Sequence, residues 1–244
     1  MPFYSPLRYP GGKGKLTNFV KKVVEENDLL DGCYVEPYAG GGGIALNLLL
    51  HNYTSRIYLN DLNFSVYSFW HSVINSTDEL CKCIRDVRVD MNEWHRQKMV
   101  FEDPRGSSNF ELGFATFFLN RTNRSGILKA GVIGGQNQTG TWKLDARFNK
   151  KDLILRIEKI AAYASRIEIS NLDAKDFMQE VLPTLPARSL VYLDPPYYVK
   201  GQDLYENHYM HSDHAIVAKY VQSKIDLPWI VSYDHAPEIV EMYK

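Results

Sequence analysis

Cysteine is scarce: Cys33, Cys81 and Cys83 are the only three in 244 residues. That is too few for a disulfide framework, and the C-x-C pair lacks nearby histidine or further cysteine to complete a zinc set. The thiols are therefore expected to be reduced, and no metal is expected. No apolar run approaches the ~18 residues of a membrane span, and MPFYSPLRYP has no apolar core of a secretory leader. A soluble, cytoplasmic protein without membrane association is expected. Net charge is nearly absent too, at -1, so composition carries no global signature of nucleic-acid binding.

Positive charge is concentrated locally. The first 24 residues hold Arg8, Lys13, Lys15, Lys21 and Lys22 without an acid. Between Leu119 and Lys151 lie Arg121, Arg124, Lys129, Lys143, Arg147, Lys150 and Lys151 against the single acid Asp145. Either cluster alone is an ordinary solvated basic face.

Periodicity and turn residues divide the chain into alternating elements. Leu16 to Glu26 reads as a helix and Cys33 to Glu36 as a short buried strand. The glycine turn Tyr38-Ala39-Gly40-Gly41-Gly42-Gly43 and a helix from Ile44 follow. A second strand, Arg56 to Asp61, ends in an acid, and helix then runs to about His71. The middle differs: Glu79 to Met99 is charged and helix-like, Phe101 to Phe110 a polar loop, and Gly113 to Leu119 apolar. Ser125 to Lys143 is rich in glycine and polar residues, suggesting a hairpin or mobile loop. Alternation resumes with a helix over Leu153–Ser165, a strand over Arg166–Asn171, a helix over Lys175–Leu182 and a strand over Ser189–Leu193. Helix over Asp213–Ser223, strand over Trp229–Tyr233 and helix over Pro237–Tyr243 complete it, with Leu204–Tyr209 unassigned. The pattern predicts an α/β doubly wound, Rossmann-like sheet with an inserted, mainly helical segment.

In such a sheet, ligands sit outside the carboxyl ends of the strands, where Glu36, Asp61, Asp173 or Asp176, and Asp194 all fall. The glycine turn lets a ligand approach the backbone, and an acid ending the next strand suits a ribose diol. An acid opening the turn would repel a pyrophosphate, so a cationic or zwitterionic nucleoside such as S-adenosylmethionine fits better. Asp61, Asp173 and Asp176 could equally cap the helices that follow them. The stretch Val191-Tyr192-Leu193-Asp194-Pro195-Pro196-Tyr197-Tyr198 has little purely structural rationale, because proline stops a central strand and leaves a carboxylate beside two rings. Such a corner can accept both hydrogens of an exocyclic amine while a ring stacks on the base. A base in a duplex must be flipped out to reach it, at an unstacking cost of a few kcal/mol.

These blocks, in this order, resemble a Dam-like, site-specific DNA adenine-N6 methyltransferase of the type with cofactor motif first, target recognition next and catalytic DPPY last. Arg8-Tyr9-Pro10-Gly11-Gly12-Lys13 resembles the amino-terminal cofactor motif, and Val35-Glu36-Pro37-Tyr38-Ala39-Gly40-Gly41-Gly42 the main cofactor turn. Asn60-Asp61 resembles the ribose-binding position, Asn171-Leu172-Asp173-Ala174 the adenine contact of the cofactor, and Ser232-Tyr233-Asp234 a later strand end.

The resemblance implies a class I S-adenosylmethionine-dependent methyltransferase domain in two pieces, 1–63 and 151–244, with a target-recognition insertion at 64–150. It implies catalysis by Asp194, Pro195, Pro196 and Tyr197. Cofactor binding falls to Tyr9, Lys13, Glu36, Pro37, Tyr38, Gly40, Gly42, Asp61, Asp173 and Asp194. The segment from Asn120-Arg121-Thr122 to Arg147-Phe148-Asn149 resembles the recognition region, so Arg8, Asn120, Arg121, Arg124, Gln136, Asn137, Lys143 and Arg147 are expected to bind DNA. Duplex DNA as partner, functional pairing with a restriction endonuclease, and a monomer follow from the same source. The family's sheet normally gains a further strand pair beyond the last helix; this sequence stops at Lys244, so the strand from Trp229 is expected to be an edge. A relative that binds cofactor or DNA without turnover, or an amino methyltransferase directed to RNA or cytosine, would carry many of the same motifs.

Overall fold

The computed structural model describes residues 4–9, 11–199 and 209–244. Pro10 of the amino-terminal motif and most of the Leu204–Tyr209 segment lie outside them. The chain divides into two units, one comprising Met1–Gly14 and Phe64–Ile169, the other Lys15–Asn63 and Ser170–Lys244.

The chain carries a five-stranded parallel sheet, of which four strands lie wholly in the second unit. Its strands are β1 (Cys33–Glu36), β2 (Arg56–Asn60), β3 (Ile167–Ser170), β4 (Ser189–Leu193) and β5 (Trp229–Val231), in the order β3-β2-β1-β4-β5. Parallel pairing aligns Val35 with Tyr58 on one side and Val191 on the other, and Val191 in turn with Trp229. All five residues of β4 are buried, as a strand covered on both faces requires. Successive side chains alternate between faces. Val35, Val191 and Leu193 join a cluster with Phe177, Met178, Val217 and Val221 from helices α8 (Ala174–Val181) and α9 (His211–Lys224). Tyr34 and Tyr192 point the other way and stack, with centroids 6.5 Å apart. Helices α1 (Thr17–Glu26) and α2 (Gly43–Leu50) pack together, and α2 packs on β1 and β2. The final helix, α10, spans Pro237–Met242. Strand order reverses between β1 and β4, so the carboxyl ends of these two strands flank the crevice where such sheets take ligands.

The first unit is helical: α3 (Phe64–Asn75), α4 (Thr77–Asp86), α5 (Met91–Glu102), α6 (Asn109–Thr122) and α7 (Lys150–Ala161). Every residue of α6 from Leu112 to Thr122 is buried, which makes it the central helix. A reciprocal cap starts it: Ser108 Oγ accepts from the Glu111 N–H at 3.2 Å, and Glu111 Oε2 accepts from the Ser108 N–H at 2.7 Å. Phe69 of α3 stacks on Phe117 of α6 at 5.9 Å, and Phe148 abuts Phe117 and Phe118. The single charged helix expected over Glu79–Met99 is two. Asp90 caps α5 through the Glu93 N–H at 2.9 Å, and Val87 leaves α4 in extended backbone. The Ser125–Lys143 segment forms turns, with an isolated antiparallel bridge between Asn123 and Val132. Gln138 ties them by donating to the Ile133 and Gly135 carbonyls and accepting from the Leu144 N–H.

Among the described residues no helix is long and apolar enough to cross a membrane. Close approach of α3 and α6 depends on Gly113, where a Cβ would overlap the Ser68 carbonyl and the Ser72 hydroxyl. Gly113→Ala is therefore expected to cost about 1–3 kcal/mol of unfolding free energy. A denaturant midpoint equal to the parent's would contradict this packing.

Candidate active site

The turn after β1 needs the glycines: Gly40 and Gly42 have φ of 48° and 56°, a region that side chains disfavour. The Gly42 N–H donates to the Ala39 carbonyl at 2.8 Å, and α2 starts directly afterwards. Asp61, one residue past β2, holds this turn from the side. Its Oδ2 accepts from the Gly40 N–H at 2.8 Å and its Oδ1 from the Asn63 N–H at 2.9 Å. Each carboxylate oxygen has a second lone pair. Burial pushes Asp61 up to about 6 against these two bonds.

Glu36, the last residue of β1, is 5 % exposed and its Oε1 accepts from the Ala45 N–H, in the first turn of α2, at 3.3 Å. Burial is the main force lifting its carboxyl to about 8, with the Asp194 charge adding to it. Asp194 follows β4 on the same face as Glu36, as the pairing of β1 with β4 dictates. It is half-buried, as are Pro196, Tyr197 and Tyr198, while Pro195 is buried. Its Oδ1 accepts from Ser232 Oγ at 2.6 Å. Ser232 in turn accepts from the Tyr192 hydroxyl at 3.1 Å.

Asn60 was not among the expected contacts by itself, yet it organises the edge. It is fully buried, donates to the Pro37 and Leu172 carbonyls at 3.0 Å each, and accepts from Ser170 Oγ and the Leu172 N–H at 3.0 Å each. One carboxamide thus joins the segments that follow β1, β2 and β3. Its signal in the sequence is an amide at a strand end, next to the acid. Asp173 is exposed and caps α8 through the Lys175 N–H at 2.9 Å. Tyr38 is half-buried, its hydroxyl 3.1 Å from that of Tyr209.

The remaining expected residues belong to the helical unit. Lys13 Nζ donates to the Gly11 carbonyl at 2.9 Å, and Tyr9 lies in the same amino-terminal arm. Asn120 binds that arm, accepting from the Arg8 N–H at 2.7 Å and donating to the Arg8 and Gly126 carbonyls. Arg121 is 8 % exposed and donates to the Arg147 and Pro6 carbonyls. Burial lowers it to about 10, with the Arg8 charge acting in the same direction. Asn120 and Arg121 are thus internal ties of the arm rather than surface groups. Arg124, Gln136, Asn137, Lys143 and Arg147 are exposed.

A Rossmann-like parallel sheet with four acids at its carboxyl edge and a strand running into Asp-Pro-Pro-Tyr is the architecture of the methyltransferase class. The particular family is the D12 class N6 adenine-specific DNA methyltransferase, whose model matches residues 9–244; the chain belongs to it. Among curated proteins it is similar to the type II methyltransferase M.MjaIII of Methanocaldococcus jannaschii, 24% identical over 206 residues, 78% of this chain and 68% of that protein. It is also similar to the DNA adenine methylase of Escherichia coli (strain K12), 24% identical over 193 residues, 78% of this chain and 64% of the relative. A DNA adenine methylase of Salmonella typhi matches at 26% identity over 136 residues, 54% of this chain and 45% of the relative. The chain therefore spans about two thirds or less of these relatives.

Glu36 makes stability pH-dependent in a defined direction. Between its ordinary value of 4.5 and about 8, the unfolded chain loses this proton while the folded chain keeps it, so stability falls as pH rises. Above that range the group adds no further slope. Glu36→Gln is expected to flatten the decline between pH 5 and 8 in denaturant unfolding; parallel parent and variant curves would contradict a protonated, buried Glu36.

Proposed function

We propose that the chain transfers a methyl group from S-adenosylmethionine to the exocyclic N6 amine of an adenine flipped out of duplex DNA. The observation that carries this reading is Asp194 at the carboxyl end of β4, next to the strand reversal and followed by Pro195, Pro196 and Tyr197. The cofactor fits the groups present. The turn between β1 and α2 has two left-handed glycines that admit close approach, and acids rather than cations surround it. That favours a positively charged nucleoside over a pyrophosphate.

In this reading Glu36, Pro37, Tyr38, Gly40, Gly42, Asp61 and Asp173 hold the cofactor, with Asp194 contributing. When bound, S-adenosylmethionine supplies an electrophilic methyl carbon on a sulfonium. Asp194 accepts a hydrogen bond from the adenine amine and the Pro195 carbonyl accepts another, turning the nitrogen lone pair toward that carbon. Tyr197 stacks on the flipped base. Alignment of this kind contributes on the order of 7 to 11 kcal/mol to a bimolecular step. The N–CH3 bond forms as the donor's S–CH3 bond breaks, leaving the neutral thioether S-adenosylhomocysteine, and the methylated nitrogen then releases one proton to solvent.

The helical unit is proposed to recognise DNA. Arg124, Lys143 and Arg147 are exposed cations suited to phosphate, and Gln136 and Asn137 are exposed amides able to read adenine edges in the major groove. Arg8 takes a backbone-positioning role, its guanidinium already donating to the Asn123 carbonyl at 3.4 Å.

The test incubates the protein with labelled S-adenosylmethionine and mixed-sequence duplex DNA, followed by digestion to nucleosides. The parent is expected to yield N6-methyladenosine as its deoxynucleoside, and Asp194→Ala to lose on the order of a hundredfold or more while still binding cofactor. Label in cytosine, or undiminished activity of the variant, would overturn the reading.

A further inference from the structure

The proposed reaction leaves Ser232-Tyr233-Asp234, which follow β5, without a role, yet these residues grip the Asp194–Val199 loop at both ends. At its start, Ser232 Oγ donates to Asp194 Oδ1 at 2.6 Å, the short end for a hydroxyl on a carboxylate. Ser232 is itself fixed twice: its N–H donates to the Leu193 carbonyl at 2.9 Å, and its Oγ accepts from the Tyr192 hydroxyl. At the loop's far end, the consecutive N–H groups of Tyr198 and Val199 donate to Asp234 Oδ1 and Oδ2, both at 3.0 Å. Pro195 and Pro196 have no N–H to offer, so the loop cannot brace itself there by strand pairing. Between the two grips, the Tyr233 hydroxyl lies 3.0 Å from His214 Nδ1, tying the segment to α9.

We infer that Ser232 and Asp234 are positioning residues for methyl transfer: Ser232 sets the rotation of the Asp194 carboxylate, and Asp234 sets the backbone path that carries the Tyr197 ring. The inference rests on the roles given above to Asp194 and Tyr197. Neither residue touches the reacting atoms. Misplacement of an acceptor by about 1 Å costs on the order of a hundredfold in rate, so a lost grip should appear in turnover rather than in ligand affinity.

Two arms test it. In the first, Ser232→Ala is expected to lower kcat on the order of 10- to 100-fold with KM for cofactor and DNA within about threefold of the parent. Ser232→Thr, which keeps the hydroxyl, should recover most of the loss. Parental kcat in Ser232→Ala, or an equal defect in both variants, would overturn the role of Ser232. The second arm needs no activity: amide hydrogen exchange at Tyr198 and Val199 should accelerate about tenfold or more in Asp234→Ala, and less in Asp234→Asn, which keeps one acceptor oxygen. Unchanged exchange at both amides would overturn the role of Asp234. If the parent itself formed no methyladenine, the proposed function would fail, while the exchange arm would still decide whether the grip exists.

Discussion

A parallel sheet buried on both faces ends its strands in backbone groups that no further strand can satisfy, and the carboxyl edge of this one depends on side chains to satisfy them. Asn60 takes the Pro37 and Leu172 carbonyls and the Leu172 N–H. Asp61 takes the N–H groups of Gly40 and Asn63, Asp173 that of Lys175, and Asp234 those of Tyr198 and Val199. The groups among these that are shielded from water, such as the Pro37 carbonyl, would cost about 1–3 kcal/mol each if left unpaired. The same acids and amides proposed to hold the cofactor are therefore what hold these loops in shape.

These side chains tie the edge loops together. Gly40 and Gly42 set the turn, Asp61 braces it, and Asn60 links it to the segment beyond β3. Asp194 is braced from the neighbouring strand end by Ser232. Glu36 is the exception: it meets a helix amide but lies so deep that burial raises its carboxyl to about 8. Its burial makes stability fall as pH rises from 4.5 to about 8.

Much of the sheet was legible, because β1, β2, β4 and β5 are apolar runs ended by acid, proline or polar residues, and Cys33–Glu36 and Ser189–Leu193 fall where expected. The helical unit was less so. The break between α4 and α5 has a local signal, Asp90 three residues before Glu93, that the charged periodicity of the region masked. No local signal marks Asn120 and Arg121 as internal. Their partners at Arg8 and Pro6 are more than a hundred positions away, and an asparagine beside an arginine in a basic stretch reads as surface. Ser232 and Asp234 were visible as a motif, but their hydrogen bonds to the Asp194–Val199 loop arise only from the adjacency of β4 and β5.

We propose that this edge holds a cationic nucleoside. The most direct measurement is titration of the isotope-labelled protein with S-adenosylmethionine, following backbone amide resonances. Saturable shifts at Gly40, Gly42, Asp61 and Ala174 at one cofactor per chain are predicted. Those resonances remaining unmoved at saturating cofactor, or shifts elsewhere without them, would contradict it.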